Sequence, residues 1–273
     1  MGGRHRARAA QVWRARLVIA ITAALGLVAV GLTQDPAVPS RPVAQPVPAA
    51  VTTSAVSLVQ GVPGAVVDVV VDGRTVSTGV DLGKVVGPLQ LRSGSHEVRF
   101  VGRDDASSTA ATVTVGSGAA QDVVLHAPEN ADADPVVSVY RTPTAPIGAG
   151  KARVLLAHTA EVGAADIWVD GERVFTDMAN GQFAQADVPA GMHRVAIRPT
   201  GAASSSTPVL GPLPVDLGAG TVTLAYAVGN PGRGDMSVVA HAERLRADGS
   251  VAPVRIHTGS AGLASTFDVR DFG

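Results

Sequence analysis

Val67-Asp68-Val69-Val70-Val71-Asp72-Gly73 recurs further along the chain as Ala165-Asp166-Ile167-Trp168-Val169-Asp170-Gly171. Alternate residues of an extended strand share one face, so the valines take one side and the aspartates the other. Asp72-Gly73 is a hairpin signal, because a type I′ turn needs positive φ at both central positions. Ser93-Gly94-Ser95-His96-Glu97-Val98 returns as Ala190-Gly191-Met192-His193-Arg194-Val195. The Asp-Gly pairs lie 98 residues apart and the Gly-x-His-x-Val pairs 97 apart. So steady an offset means tandem copies of one domain.

Short strands follow from the same alternation. In the first copy they fit Ala55–Gln60, Val66–Val71, Val86–Leu91, His96–Val101, Ala111–Val115, Asp122–His126 and Val136–Tyr140. The second gives Ala152–His158, Ala165–Val169, Arg173–Phe175, Phe183–Val188, His193–Pro199, Leu213–Leu217, Thr221–Val228 and Ser237–Glu243. Gly116-Ser117-Gly118 matches Gly218-Ala219-Gly220 at an offset of 102, the extra residues falling in the Ser-rich loop Gly201–Pro212. Insertions belong in surface loops. About seven strands per copy, spaced by turn signals, predict an all-β chain of two tandem Ig-like β-sandwich domains. The expected boundaries are 54–141 and 151–258, with a linker at 142–150 and a tail at 259–273.

Composition agrees with that class. Aromatic residues make up only 3% of the 273, and the apolar bulk is Val, Ala, Leu and Gly. Valine is stiff at χ1 and suits a pleated surface. Five of the 22 basic residues precede residue 17, which leaves 17 basic against 23 acidic residues, a net of −6. A mildly acidic body is a poor partner for nucleic acid, whose affinity rests on neutralising phosphates. The absence of cysteine excludes disulfides, thiolate chemistry, Cys-ligated zinc and lipid attachment at a lipobox.

The N-terminus reads as an export segment. Arg4, Arg6, Arg8, Arg14 and Arg16 flank an uncharged run from Leu17 to Leu32. A basic flank before an apolar run is an export signal. Gln34, Asp35 and Pro36 follow where a small-residue cleavage site is expected, which favours an uncleaved anchor over a removed signal peptide within residues 1–33. The arginines stay cytoplasmic and everything beyond is outside. Residues 34–53 carry five prolines and read as an extended stalk.

Lys151-Ala152-Arg153-Val154-Leu155-Leu156-Ala157-His158-Thr159-Ala160, followed by Ala165 to Gly171, resembles the opening of the domain of unknown function 4397 family. Val188-Pro189-Ala190-Gly191-Met192-His193 is similar to it as well. The ending Thr258-Gly259-Ser260-Ala261-Gly262-Leu263-Ala264 is similar to the Gly-rich close of actinobacterial tandem members. The resemblance spans nearly all of residues 54–264, with Gln60 standing where the second copy has His158. The strand–Asp-Gly–strand plan also looks somewhat like a PEGA-type surface domain. The family resemblance implies extracytoplasmic Ig-like sandwiches in bacterial envelopes and implies no activity.

Candidate chemistry is sparse. His158 lies near Asp166 in sequence, but its counterpart Gln60 cannot serve as a general base, so a strand-end residue bonded to a turn is expected. His96 and His193 are kept in both copies and share parity with Val98 and Phe100, and with Val195 and Ile197, which puts them at the rim of the core. Asp68 and Asp166, also kept, could pair with a histidine or cap a turn. No Gly-x-Ser-x-Gly elbow, His-Glu-x-x-His motif or phosphate loop accompanies them. The acidic loop Glu129–Asp134 lacks calcium-ligand spacing. Arg233-Gly234-Asp235 is explained by a hairpin loop. Trp168 has the parity of Asp166 and Asp170, so it belongs on the polar face; its counterpart is Val70. It either marks an interaction surface or packs against the linker.

The expectation is an exported, membrane-tethered, non-enzymatic envelope protein, structural or interaction-mediating. It has no catalytic, cofactor or metal residues. It meets the membrane through residues 17–32 and meets an envelope protein or cell-wall component through its body. The alternatives are a carbohydrate or peptidoglycan binder and an envelope-associated enzyme.

Overall fold

The computed structural model describes residues 52–103, 107–118, 120–130, 132–246 and 250–260, with side chains described as far as residue 253 in the last stretch. The expected anchor, nearly all of the stalk and most of the tail lie outside the described residues. Among the described residues every regular element is a strand. The first copy supplies β1 (Thr53–Gly61), β2 (Val67–Val71), β3 (Arg74–Val80), β4 (Val85–Arg92), β5 (Gly94–Gly102), β6 (Ser108–Val115), β7 (Gln121–His126) and β8 (Val136–Arg141). The second supplies β9 (Lys151–His158), β10 (Ala165–Val169), β11 (Glu172–Met178), β12 (Phe183–Pro189), β13 (Gly191–Pro199), β14 (Leu210–Leu217), β15 (Thr221–Val228), β16 (Ser237–Leu245) and β17 (Val251–Ser260).

The strands form four sheets, two from each copy: β4-β1-β7-β8 and β3-β2-β5-β6, then β12-β9-β15-β16-β17 and β11-β10-β13-β14. In each copy the first strand pairs in parallel with the seventh, β1 with β7 and β9 with β15, and the other pairings are antiparallel. The Asp-Gly turns are as the sequence predicts: Asp72 and Gly73 have φ of 49° and 75°, and Asp170 and Gly171 have 52° and 88°.

Three apolar clusters show how the sheets stack. Val56, Leu58, Val69, Phe100 and Val123 fill the space between the two sheets of the first copy. Leu156, Ile167, Met178, Ile197 and Ala227 do the same in the second. The remaining cluster joins the copies: Val59, Val124 and Tyr140 from the first meet Leu155, Leu224, Tyr226 and Val239 from the second. The equivalent sheet of each copy is therefore used as the interface, like with like, as in an isologous dimer. Four layers result, and the two inner sheets are covered on both faces. That is why β7 and nearly all of β1 and β15 are buried at every position instead of at alternate ones.

Two strands were not predicted. β3 is an edge strand with a mostly exposed Arg-Thr-Val-Ser-Thr start, so no apolar alternation announces it. β17 extends the inner sheet of the second copy at its edge, running antiparallel to β16 through Ser260. β11 continues to Met178, beyond the predicted Arg173–Phe175.

Candidate functional site

The kept polar residues are bonded in the same way in both copies. Asp68 Oδ1 accepts the Gly79 N–H at 2.8 Å, and Asp166 Oδ1 accepts the Asp177 N–H at 2.9 Å. Gly79 and Asp177 both carry positive φ, 63° and 56°, where the third strand of each copy departs from regular pairing. The aspartate thus fixes an irregular turn of the edge strand, the second of the two roles the sequence left open.

The histidines pair with the hairpin aspartates instead. His96 Nδ1 lies 2.6 Å from Asp72 Oδ2, and Nε2 lies 2.7 Å from the Arg92 carbonyl oxygen. His193 repeats this with Asp170 at 2.7 Å and Pro189 at 2.8 Å. An ionised carboxylate and a carbonyl both accept, so each pair of contacts favours the ring that donates from both nitrogens, the protonated form. The Asp72 hydrogen bond, then the Arg92 carbonyl, raise the His96 pKa. Burial opposes the charge on His193, but the Pro189 carbonyl and Asp170 outweigh it and the pKa is again raised. Asp72 and Asp170 also accept the N–H of Glu97 and Arg194, which ties the β2–β3 and β10–β11 turns to the neighbouring strand.

His158 and Gln60 are both fully buried and do one job. Gln60 donates to the Val62 and Ala65 carbonyls and accepts the Val62 N–H. His158 Nε2 donates to the Gly163 carbonyl at 3.0 Å, and Nδ1 accepts the Ala160 N–H at 3.4 Å. Each closes the loop after the first strand of its copy. Burial holds the His158 pKa below the ordinary histidine value, so the ring is neutral. Arg233 and Asp235 are also consumed locally: Arg233 pairs with Glu161 at 2.7 Å and with Asp235 at 3.0 Å. Among the described residues no group of three or more His, Asp or Glu side chains is arranged to hold a metal ion.

A buried polar cluster at the interface was not foreseen. Asp122 Oδ2 accepts the Tyr226 hydroxyl at 2.5 Å and lies 2.5 Å from His241 Nε2, joining the first copy to the second. All three side chains are almost wholly inaccessible. Burial opposes the charge on His241, and Asp122 overrides it, so the pKa is raised. Burial drives the Tyr226 pKa well above the usual phenol value. Arg153 is a second fastener: it grips Asp187 through two hydrogen bonds of 2.6 and 2.8 Å and donates to the linker carbonyls of Ala145 and Pro146.

One site where the copies differ lies around Trp168. Its ring is half-buried on the outer face of β10, as its parity predicts. Arg173 from β11 and Arg198 from β13 bring their guanidinium carbons to 5.8 and 5.6 Å from the ring centroid. Asp166 pairs with Arg173 at 3.2 Å and accepts the Gly201 N–H at 3.1 Å. Arg198 donates to the Ser206 carbonyl in the inserted loop. The equivalent first-copy positions are Val70, Thr75 and Val101. The aromatic ring, both arginines and the long loop are thus acquired together in the second copy.

Residues 54–165 match the family model described as Domain of unknown function (DUF4397). The chain resembles that family over the first sandwich, the linker and the first strand of the second. The match is shorter than the 54–264 over which the motifs read. A comparison with curated proteins finds no match.

Proposed function

We propose that this chain is an exported, membrane-tethered, non-enzymatic envelope protein that engages a partner through the Trp168–Arg173–Arg198 face of its second sandwich. The observation that carries this reading is one group of differences that meets on a single surface. Everything the copies share is used to build the fold, while Trp168, Arg173, Arg198 and the 201–209 loop converge on one outer face. Trp and Arg are the side chains most enriched at interaction hot spots. Two arginines beside one buried carboxylate leave the face cationic, so an acidic partner is favoured.

The histidines support the non-enzymatic part. A general base needs a nitrogen free to meet a substrate, and in His96, His158 and His193 both nitrogens are engaged within the fold. The basic flank and apolar run before residue 33 support export and tethering. Carbohydrate or peptidoglycan binding is the second reading, favoured by the single half-exposed indole. Sugar stacking needs an open ring face, and the two guanidinium groups compete for it.

Capture from solubilised native envelope tests the proposal. Wild-type chain is expected to retain a partner that Trp168→Ala and Arg198→Ala each lose, with unchanged unfolding midpoints. Cosedimentation with purified sacculi that Trp168→Ala abolishes would move the assignment to the second reading. Hydrolytic activity removed by His193→Ala would overturn both.

A further inference from the structure

The four sheets have eight edge strands, and six of them carry devices against further pairing. β3, β4, β11, β14 and β17 each pair with their neighbour through a break in register. Pro88 interrupts β4, Pro212, Pro214 and Asp216 stand in β14, and Pro253 and Arg255 in β17. β12 carries Asp187 and Pro189, and β11 carries Glu172, Arg173 and Asp177. Prolines, charges and bulges are the means by which sheet edges avoid joining one another. β6 and β8 have none within their length: both keep unbroken register, neither contains proline, and Arg141 at the very end of β8 is their one charged residue. The two lie side by side, with the Thr109 hydroxyl of β6 donating to the Pro135 carbonyl just before β8 at 3.4 Å.

The second copy closes the same flank twice. β14, the counterpart of β6, holds the two prolines and Asp216. β16, the counterpart of β8, is paired along its whole length by β17. Among the described residues no strand pairs with the outer side of β8. β8 is also the apolar member of the open pair. β6 exposes Ser108, Ala110, Thr112 and Thr114, whereas Val136 and Val139 of β8 are 39% and 42% exposed. Phe183, half-exposed, stands edge-on to Tyr140 at the same place, with ring centroids 5.8 Å apart.

The strand is self-complementary. Two antiparallel copies related by a twofold axis through the sheet must keep like faces together, so the axis falls at a residue and not between two. An axis at Val139 would set Val137 against Arg141. An axis at Ser138 sets Val137 against Val139 and Val136 against Tyr140, and it holds the two Arg141 side chains roughly 20 Å apart along the strands. We propose that β8 is a docking edge for a second copy of this chain, in which two β8 strands pair antiparallel about Ser138 and join the inner sheets of two first sandwiches into one.

The chain has no cysteine, so a single introduced thiol reports its own position. Opposite Cβ atoms of an antiparallel pair lie about 4.5–5.5 Å apart, close to the span of a disulfide. Full-length protein carrying Ser138→Cys is expected to form a disulfide-linked dimer under mild oxidation at least tenfold faster than Arg141→Cys or Val174→Cys. Both control positions are more exposed than Ser138, so random collision would reverse that order. Association through residues 17–32 acts on all three alike, and the ratio of rates is what is read. Val139→Lys added to Ser138→Cys should slow the linkage at least tenfold, because it charges the edge. Equal rates, a faster control, or linkage that Val139→Lys leaves unchanged overturns the proposal. So does an unlinked Ser138→Cys, the outcome expected if residues 261–273 of the same chain cover β8 instead. Ser138 also bonds His126. Should Ser138→Cys lose its β-sheet circular dichroism, sedimentation of the cysteine-free protein decides: a wild-type dimer whose dissociation constant Val139→Lys raises at least tenfold supports the pairing, and a monomeric wild type or an unchanged constant overturns it.

Discussion

The first sandwich is a minimal version of the second. Both carry the type I′ Asp-Gly turn, the histidine–aspartate bridge beneath it and the aspartate that pins the edge strand. Only the second carries a tryptophan between arginines, a long loop over its outer sheet and a buried arginine gripping the linker. One copy thus serves as an internal control for the other. A residue kept in both is explained by the fold that both make, and a residue found in one needs a separate reason.

The largest break in this comparison is expected at Asp122. Its counterpart by strand register is Leu224, so the buried carboxylate is a feature of the first copy alone. Asp122→Ala leaves the Tyr226 hydroxyl and the His241 ring without their shared acceptor. Removing one member of a buried pair costs about 3–5 kcal/mol, which urea unfolding will register. Asp122→Leu combined with His241→Leu should recover most of that loss, because an apolar pair of similar volume avoids the desolvation penalty.

Next come the paired histidines, which should behave alike. His96→Ala and His193→Ala should each cost about 1–2 kcal/mol at acid pH, discounted for the half-exposed aspartates. Both folded pKa values are raised. The stabilisation is therefore fully present below the unfolded value and is lost as pH rises through the folded one. Unfolding series at acid and alkaline pH should show both differences shrinking together. A pH dependence in one copy only would break the equivalence.

The smallest effect is expected at His158. Replacing it by its own counterpart, His158→Gln, should change stability by less than about 1 kcal/mol at neutral pH, since Gln60 makes the same loop bonds. Burial lowers the His158 pKa from 6.5. The unfolded chain protonates before the folded one, so wild type loses stability as pH falls below that value and the glutamine variant does not. Thermal midpoints of the two proteins should cross on the acid side. A variant less stable at every pH would give His158 a role that Gln60 lacks.

The sequence exposed what alternates and what repeats. Val67, Val69 and Val71 announce a strand with one buried face, and the repeated Asp-Gly and Gly-x-His marked both hairpins. It hid what depends on stacking. Gln121-Asp122-Val123-Val124-Leu125-His126 reads as a strand with polar ends, and only the second sandwich lying against it buries Asp122. His96 and Asp72 were both visible as kept residues. Their pairing needed the antiparallel register that sets Val71 opposite Val98, and that register belongs to neighbouring strands 24 residues apart in the chain. The Trp168 face was half legible: parity placed the ring outside, but Arg173, Arg198 and the 201–209 loop come together only across three strands.

The equivalent sheets of the two copies pack into one four-layer unit. Trp168 tests it directly, because it lies in the second copy and is the only tryptophan of residues 49–273. Urea unfolding of that stretch should be followed by tryptophan fluorescence, which reports the second sandwich, and by far-ultraviolet circular dichroism, which reports both. Coincident single transitions are predicted, as for one cooperative unit. A fluorescence transition separated from a biphasic circular dichroism curve would contradict the claim and leave two sandwiches that fold apart.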